Sequence, residues 1–271
     1  MTNRIVVANQ KGGVAKTTTA VNLASCLGQL GKRILLIDLD PQANATSGIG
    51  LDKEKIEKSI YDVLIGQGSI EGIVKKSPVE NVDVAPANLA LVGAEIELVH
   101  APRREFHLAD SISQNESINQ YDFVIIDTPP SLGLLTINAL TAAQSVLIPM
   151  QCEYYALEGL AQLYKTIQLV RQKSNPSLHI EGLVFSMVDM RANLTTQVMD
   201  EVKKILKDKV YETVIPRNIR LAEAPSFGKP IITYDKHSKG AEAYERLARE
   251  FLLRHAPPNI IEPAPQEAIP V

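Results

Sequence analysis

Five short apolar runs punctuate this chain: Ile5–Ala8, Ile34–Ile37, Phe123–Ile126, Ser145–Ile148 and Leu183–Phe185. None alternates apolar with polar residues. A strand with one wet face alternates, whereas a strand covered on both faces stays apolar throughout. Helical periodicity fills the intervals. Residues 17–30 place Ala20, Val21, Ala24 and Leu27 on one face and stop near Gly31, and Leu132–Ala143, Ala156–Arg171, Thr195–Lys207 and Ala241–Leu253 also read as helices. Strands and helices in this rhythm predict an α/β fold: a doubly wound, mainly parallel sheet flanked by helices. Val82-Asp83-Val84 is a further strand candidate.

Of 271 residues, 45 % are apolar and 22 % charged, as in an ordinary globular protein. We expect a single domain over residues 1–255 and a proline-rich, disordered tail over 256–271. Two cysteines are too few for a disulfide framework and suit a reducing cytoplasm. The first residues contain no signal-peptide core, so no export is expected. Thr128 to Cys152 carries no charge and is long enough to cross a bilayer, but Pro129, Pro130 and Pro149 interrupt it. A loop, a helix and a buried strand account for it better.

At the end of the first run stands Gln10-Lys11-Gly12-Gly13-Val14-Ala15-Lys16-Thr17-Thr18, just before a helix. In that position the backbone N–H groups of a glycine turn and a helix N-terminus converge on an anion. A lysine neutralises charge there, and a hydroxyl can complete Mg²⁺ coordination. Gly-Gly-x-x-Lys alone is weak evidence; its place between strand and helix makes it strong. The ordinary phosphate loop has glycine where this chain has Gln10 and Ala15. Gln10 and the extra Lys11 match a deviant form of the motif, while Ala15 departs even from that. If the backbone at Ala15 needs positive φ, alanine costs about 1–2 kcal/mol there.

The second run ends in Asp38-Leu39-Asp40-Pro41-Gln42 and the third in Asp127-Thr128-Pro129-Pro130. Alone, either carboxylate reads best as a helix cap. In an open parallel sheet, however, the carboxyl ends of the strands border the ligand crevice, so these aspartates can face Lys16 and Thr17.

Together with Gln151-Cys152-Glu153-Tyr154-Tyr155-Ala156-Leu157-Glu158-Gly159 and Ile215-Pro216-Arg217-Asn218-Ile219-Arg220, these motifs resemble the ParA (Soj-type) partition ATPases, P-loop NTPases of the deviant Walker A type. The resemblance runs over about residues 3–253. It implies that residues 11–18 (Lys11, Gly12, Gly13, Val14, Ala15, Lys16, Thr17, Thr18) bind ATP, with Pro216 and Asn218 beside the adenine. It further implies Lys16 on the β- and γ-phosphates, Thr17 on Mg²⁺, Asp127 holding that ion through water, and Asp40 positioning the attacking water. Lys11 would reach the partner's nucleotide in an ATP-sandwich homodimer, with Asp38 near the same interface. By the same resemblance, the partners are nonspecific DNA and a ParB-type centromere-binding protein that stimulates hydrolysis, and the location is cytoplasmic and nucleoid-associated.

Net charge is −3, so any DNA binding needs a local patch. Between Val184 and Gly240, ten basic residues face seven acidic ones. A solvated face is the default reading of such a run, and the resemblance favours DNA, with Arg191, Arg217 and Arg220 as leading candidates. Other readings stay open: a MinD-like membrane-cycling ATPase, a metabolic ATP-dependent ligase, or a nucleotide-impaired variant because of Ala15. The tail lacks Lys and Arg after Arg254, which argues against stable membrane association.

Overall fold

The computed structural model describes residues 2–153 and 156–256. Tyr154, Tyr155 and the expected tail beyond Ala256 lie outside them. The strands are β1 (Asn3–Val7), β2 (Ile34–Asp38), β3 (Lys75–Lys76), β4 (Val82–Ala85), β5 (Phe123–Asp127), β6 (Ser145–Met150) and β7 (His179–Phe185). They form one sheet in the order β3-β4-β2-β5-β1-β6-β7, in which only β3 runs antiparallel. The major helices are α1 (Lys16–Gln29), α2 (Leu134–Ala142), α3 (Ala156–Lys173), α4 (Asn193–Leu206) and α5 (Lys239–Arg254).

Successive strand residues feed two separate cores, which is why the apolar runs are continuous. Val6, Leu35, Ile37, Val124 and Ile126 pack with α2, α3 and α4 on one face. Ile5, Val7, Ile34, Leu36 and Ile125 pack with α1 and α5 on the other. The expected doubly wound architecture is therefore present. Gly28 sets the approach of α1 to the sheet, because a Cβ there would lie 2.5 Å from the Glu80 carbonyl oxygen. Gly31, at φ +79°, ends that turn as expected.

Two differences from the sequence reading have clear causes. Strand β7 begins at His179, four residues before its apolar run, since at the sheet edge His179 and Glu181 face a polar cavity. Strand β3 is two exposed lysines, a short charged edge that carries no apolar signal. No described helix is long and apolar enough to cross a membrane.

Candidate nucleotide site

The loop joining β1 to α1 is held open by side chains from three strand ends. Asn9 Oδ1 accepts from the Lys11 N–H at 3.1 Å while its amide donates to the Pro149 carbonyl at 2.8 Å. Gln151 Nε2 donates to the Gly13 carbonyl at 2.9 Å, and Ser186 Oγ to that of Val14 at 2.9 Å. With its carbonyls tied down, the loop turns its amides the other way: among the described residues, the N–H groups of residues 12–18 donate to no protein acceptor. Gly13 at φ +72° shapes the turn. This is the electrostatic form of an anion cradle at a helix N-terminus.

Ala15 caps α1 at φ 65°, ψ 33°, in the left-handed region. The condition for strain posed by the sequence is met, and alanine pays about 1–2 kcal/mol for this backbone. Its neighbour Lys16 is 6 % exposed, with Nζ donating to the Lys11 carbonyl at 3.2 Å. Burial lowers the Lys16 pKa, and the charges of Asp127 and Asp40 partly oppose that.

Three carboxylates gather below the loop. Asp38 is fully buried; one oxygen accepts from the Thr46 N–H and hydroxyl, both at 2.8 Å, and the other from the Asp40 N–H at 3.0 Å. Burial pushes its pKa up to about 6, against the lowering effect of those hydrogen bonds. Asp40 is 7 % exposed and accepts from the Gln42 N–H at 2.9 Å. Asp127 is fully buried, and among the described residues neither of its oxygens has a hydrogen-bond partner. Burial first and the charge of Asp38 second raise its pKa well above the carboxylate range, while the Thr17 hydroxyl and Lys16 act the other way.

An orphaned buried carboxylate beside a threonine hydroxyl and a lysine fits a hard divalent cation. No three His, Cys, Asp or Glu side chains among the described residues converge as a protein cage. That too suits Mg²⁺, which keeps water and takes phosphate oxygens as ligands.

Pro216 and Asn218 line a cavity of about 380 Å³ with Ala15, Met187, Ile215 and Tyr244. The Asn218 Oδ1 caps the helix Ile219–Glu223 through the Leu221 N–H at 3.2 Å, so its amide group remains the part able to contact a ligand. Lys11 forms an ion pair with Glu153 of its own chain.

Asp38 has no exposed surface, and its oxygens are committed inside the chain. Its geometry makes it an organiser of the Asp40 turn. The candidate DNA residues are partly gathered. Arg191 pairs with Asp189 at 2.7 Å, and Arg217 approaches the same carboxylate closely enough to lower its pKa. Arg220 is separately paired with Glu223 at 3.0 Å and Asp235 at 3.5 Å. Sequence reasoning missed Asn9 and Ser186 as loop anchors. Gln151 sat in a quoted motif without a role, because its contact with Gly13 spans 138 positions.

A family model described as an AAA domain matches residues 2–180. The sporulation initiation inhibitor protein Soj of Bacillus subtilis is 58 % identical over 247 residues, covering 91 % of this chain and 96 % of that protein. The chromosome partitioning protein ParA of Myxococcus xanthus is 52 % identical, covering 93 % and 89 %. Among solved structures, a cobyrinic acid a,c-diamide synthase from Mycobacterium smegmatis with bound ADP and magnesium is similar at a TM-score of 0.79 and 37 % identity, covering 94 % and 95 %. Identity of this extent along nearly the whole chain, joined to the phosphate loop and its carboxylates, places the protein in the Soj/ParA family of chromosome-partitioning ATPases.

Proposed function

We propose that this chain is an ATP-driven dimerisation switch that binds DNA without sequence preference and serves chromosome or plasmid partition. The observation that carries the reading is Asp127: a buried carboxylate with both oxygens unpartnered, beside Lys16 and Thr17 and beneath a loop of undonated amides. The amides of residues 12–18 and the Lys16 ammonium hold the phosphates, and the cavity of Pro216 and Asn218 takes the base. Thr17 and, through water, Asp127 would hold Mg²⁺, which would supply neutralisation of phosphate charge. Asp40, tied by the Gln42 N–H, orients the attacking water. Phosphoryl transfer to water needs alignment and charge neutralisation more than covalent chemistry, and these residues supply both.

Lys11 leaves Glu153 to reach the nucleotide of a second copy, so the γ-phosphate becomes a ligand whose loss shifts the monomer–dimer population. Arg191 and Arg217 contribute to a DNA face doubled in the dimer, and a ParB-type partner stimulates hydrolysis. The protein acts in the cytoplasm on the nucleoid. The test is mass measurement by light scattering with ATP and Mg²⁺. A shift from monomer to dimer is expected, and a monomer that stays monomeric even as Ala15→Gly removes the switch.

A second reading is motivated by the similarity to the diamide synthase: an ATP-dependent ligase acting on a small carboxylate. Turnover stimulated by such a metabolite and indifferent to DNA selects it.

A further inference from the structure

The sheet edge opposite the phosphate loop holds a second polar cavity, of about 400 Å³, at the amino ends of β1, β6 and β7. Most polar groups around it are paired. Glu181 accepts from the Tyr211 hydroxyl at 3.1 Å and lies 3.4 Å from His255 Nε2. The Gln144 amide donates to the Thr2 carbonyl at 3.2 Å, and Arg254 donates to Glu250 at 2.9 Å and to the Val210 carbonyl at 2.8 Å.

Arg4 is the exception. Among the described residues its guanidinium has no ion pair, and its Nε is buried without a hydrogen-bond partner. Burial lowers its pKa and no nearby carboxylate offsets that effect. Arginine does not shed its proton, so the described residues leave a partly desolvated cation that none of them neutralises. Lys209, on the same cavity, adds a second positive group with no carboxylate within ion-pair distance among the described residues, and Asp208 is the opposing charge.

We propose that this cavity binds a small oxyanion, phosphate or carboxylate, with Arg4 as its anchor. The planar guanidinium fork matches two oxygens of one anion, which the point charge of a lysine does not. Such an anion has two sources. One is a free phosphate-class solute. The other is the chain's own segment after Ala256, which contains Glu262 and Glu267 and no basic residue. Glu262 follows the cavity residue His255 within an extended reach of about 20 Å.

Thermal unfolding of the full chain against inorganic phosphate, at constant ionic strength and with ADP and Mg²⁺ saturating the loop, tests this. Wild type is expected to gain melting temperature with phosphate, as ligand binding to the folded state requires. Arg4→Gln should lose that gain, with phosphate binding weakened about tenfold or more, yet melt no lower than wild type without phosphate. If the tail carboxylates occupy the site, the gain appears only in the Glu262→Gln/Glu267→Gln variant and again disappears when Arg4→Gln is added. Equal phosphate responses with and without Arg4, or no response even in the tail variant, overturn the proposal.

Discussion

Asp38 and Asp127 stand opposite each other in the register of β2 and β5, each as the last residue of its strand. Two fully buried carboxylates thus share one end of the sheet. Asp38 is satisfied by Thr46 and Asp40, and Asp127 has no hydrogen-bond partner among the described residues. The asymmetry separates their roles: one builds the floor of the site, and the other waits for charge to arrive.

This pair makes stability depend on pH. Because the folded-state pKa values are raised, the folded chain holds protons that the unfolded chain has lost. The stability contributed is full below about pH 4, the ordinary carboxylate range, and falls as pH rises through about 6 for Asp38 and through the raised pKa of Asp127. Asp189, pushed down to about 2 by Arg191, acts in the opposite sense, so the pair is isolated by difference. Asp127→Asn should be more stable than ligand-free wild type by about 1–3 kcal/mol at neutral pH, with the gap closing toward pH 4. Urea unfolding across this range measures it, and a gap that ignores pH contradicts the assignment.

The same substitution should cost function. Nucleotide binding that is strengthened by Mg²⁺ in wild type should lose that strengthening in Asp127→Asn, by about 10–100-fold. Titration with and without EDTA reads this directly.

Ala15→Gly should relieve the left-handed strain at the N-cap of α1. The gain is about 1 kcal/mol or less, since glycine also loses more backbone entropy on folding. Nucleotide should bind more tightly as well, because Ala15 lines the cavity of Pro216 and Asn218 and glycine leaves more room there. Calorimetric melting and ATP titration give the two numbers. Weaker ATP binding by the glycine variant would show the methyl to be useful there.

Removing Lys11 separates the switch from the fold. Its ion pair with Glu153 is half-exposed, so Lys11→Ala should change stability by less than about 1 kcal/mol. ATP-dependent dimerisation should nevertheless disappear, as sedimentation velocity would record.

For DNA, the expectation concerns the salt slope. Arg217→Ala should weaken binding to unrelated duplexes equally and reduce the logarithmic salt dependence by about 1, the signature of one lost phosphate contact. An unchanged slope in a fluorescence anisotropy series moves the DNA face elsewhere.

The strands, the major helices and the phosphate loop were legible in the sequence because burial on both faces leaves an unbroken apolar run and a glycine turn leaves a local signature. The loop's need for positive φ could be posed from Ala15 as a condition, and only the backbone answered it. Local pattern could not say which carboxylate would be satisfied. That depended on β5 inserting between β2 and β1, which sets Asp127 against Asp38, a residue far away in sequence, in parallel register. Nor could it show that Asn9, Gln151 and Ser186 hold the loop, or that Arg4 meets His255 around one cavity. Periodicity records how deeply a residue is buried; crossover connections and strand order decide what it is buried against.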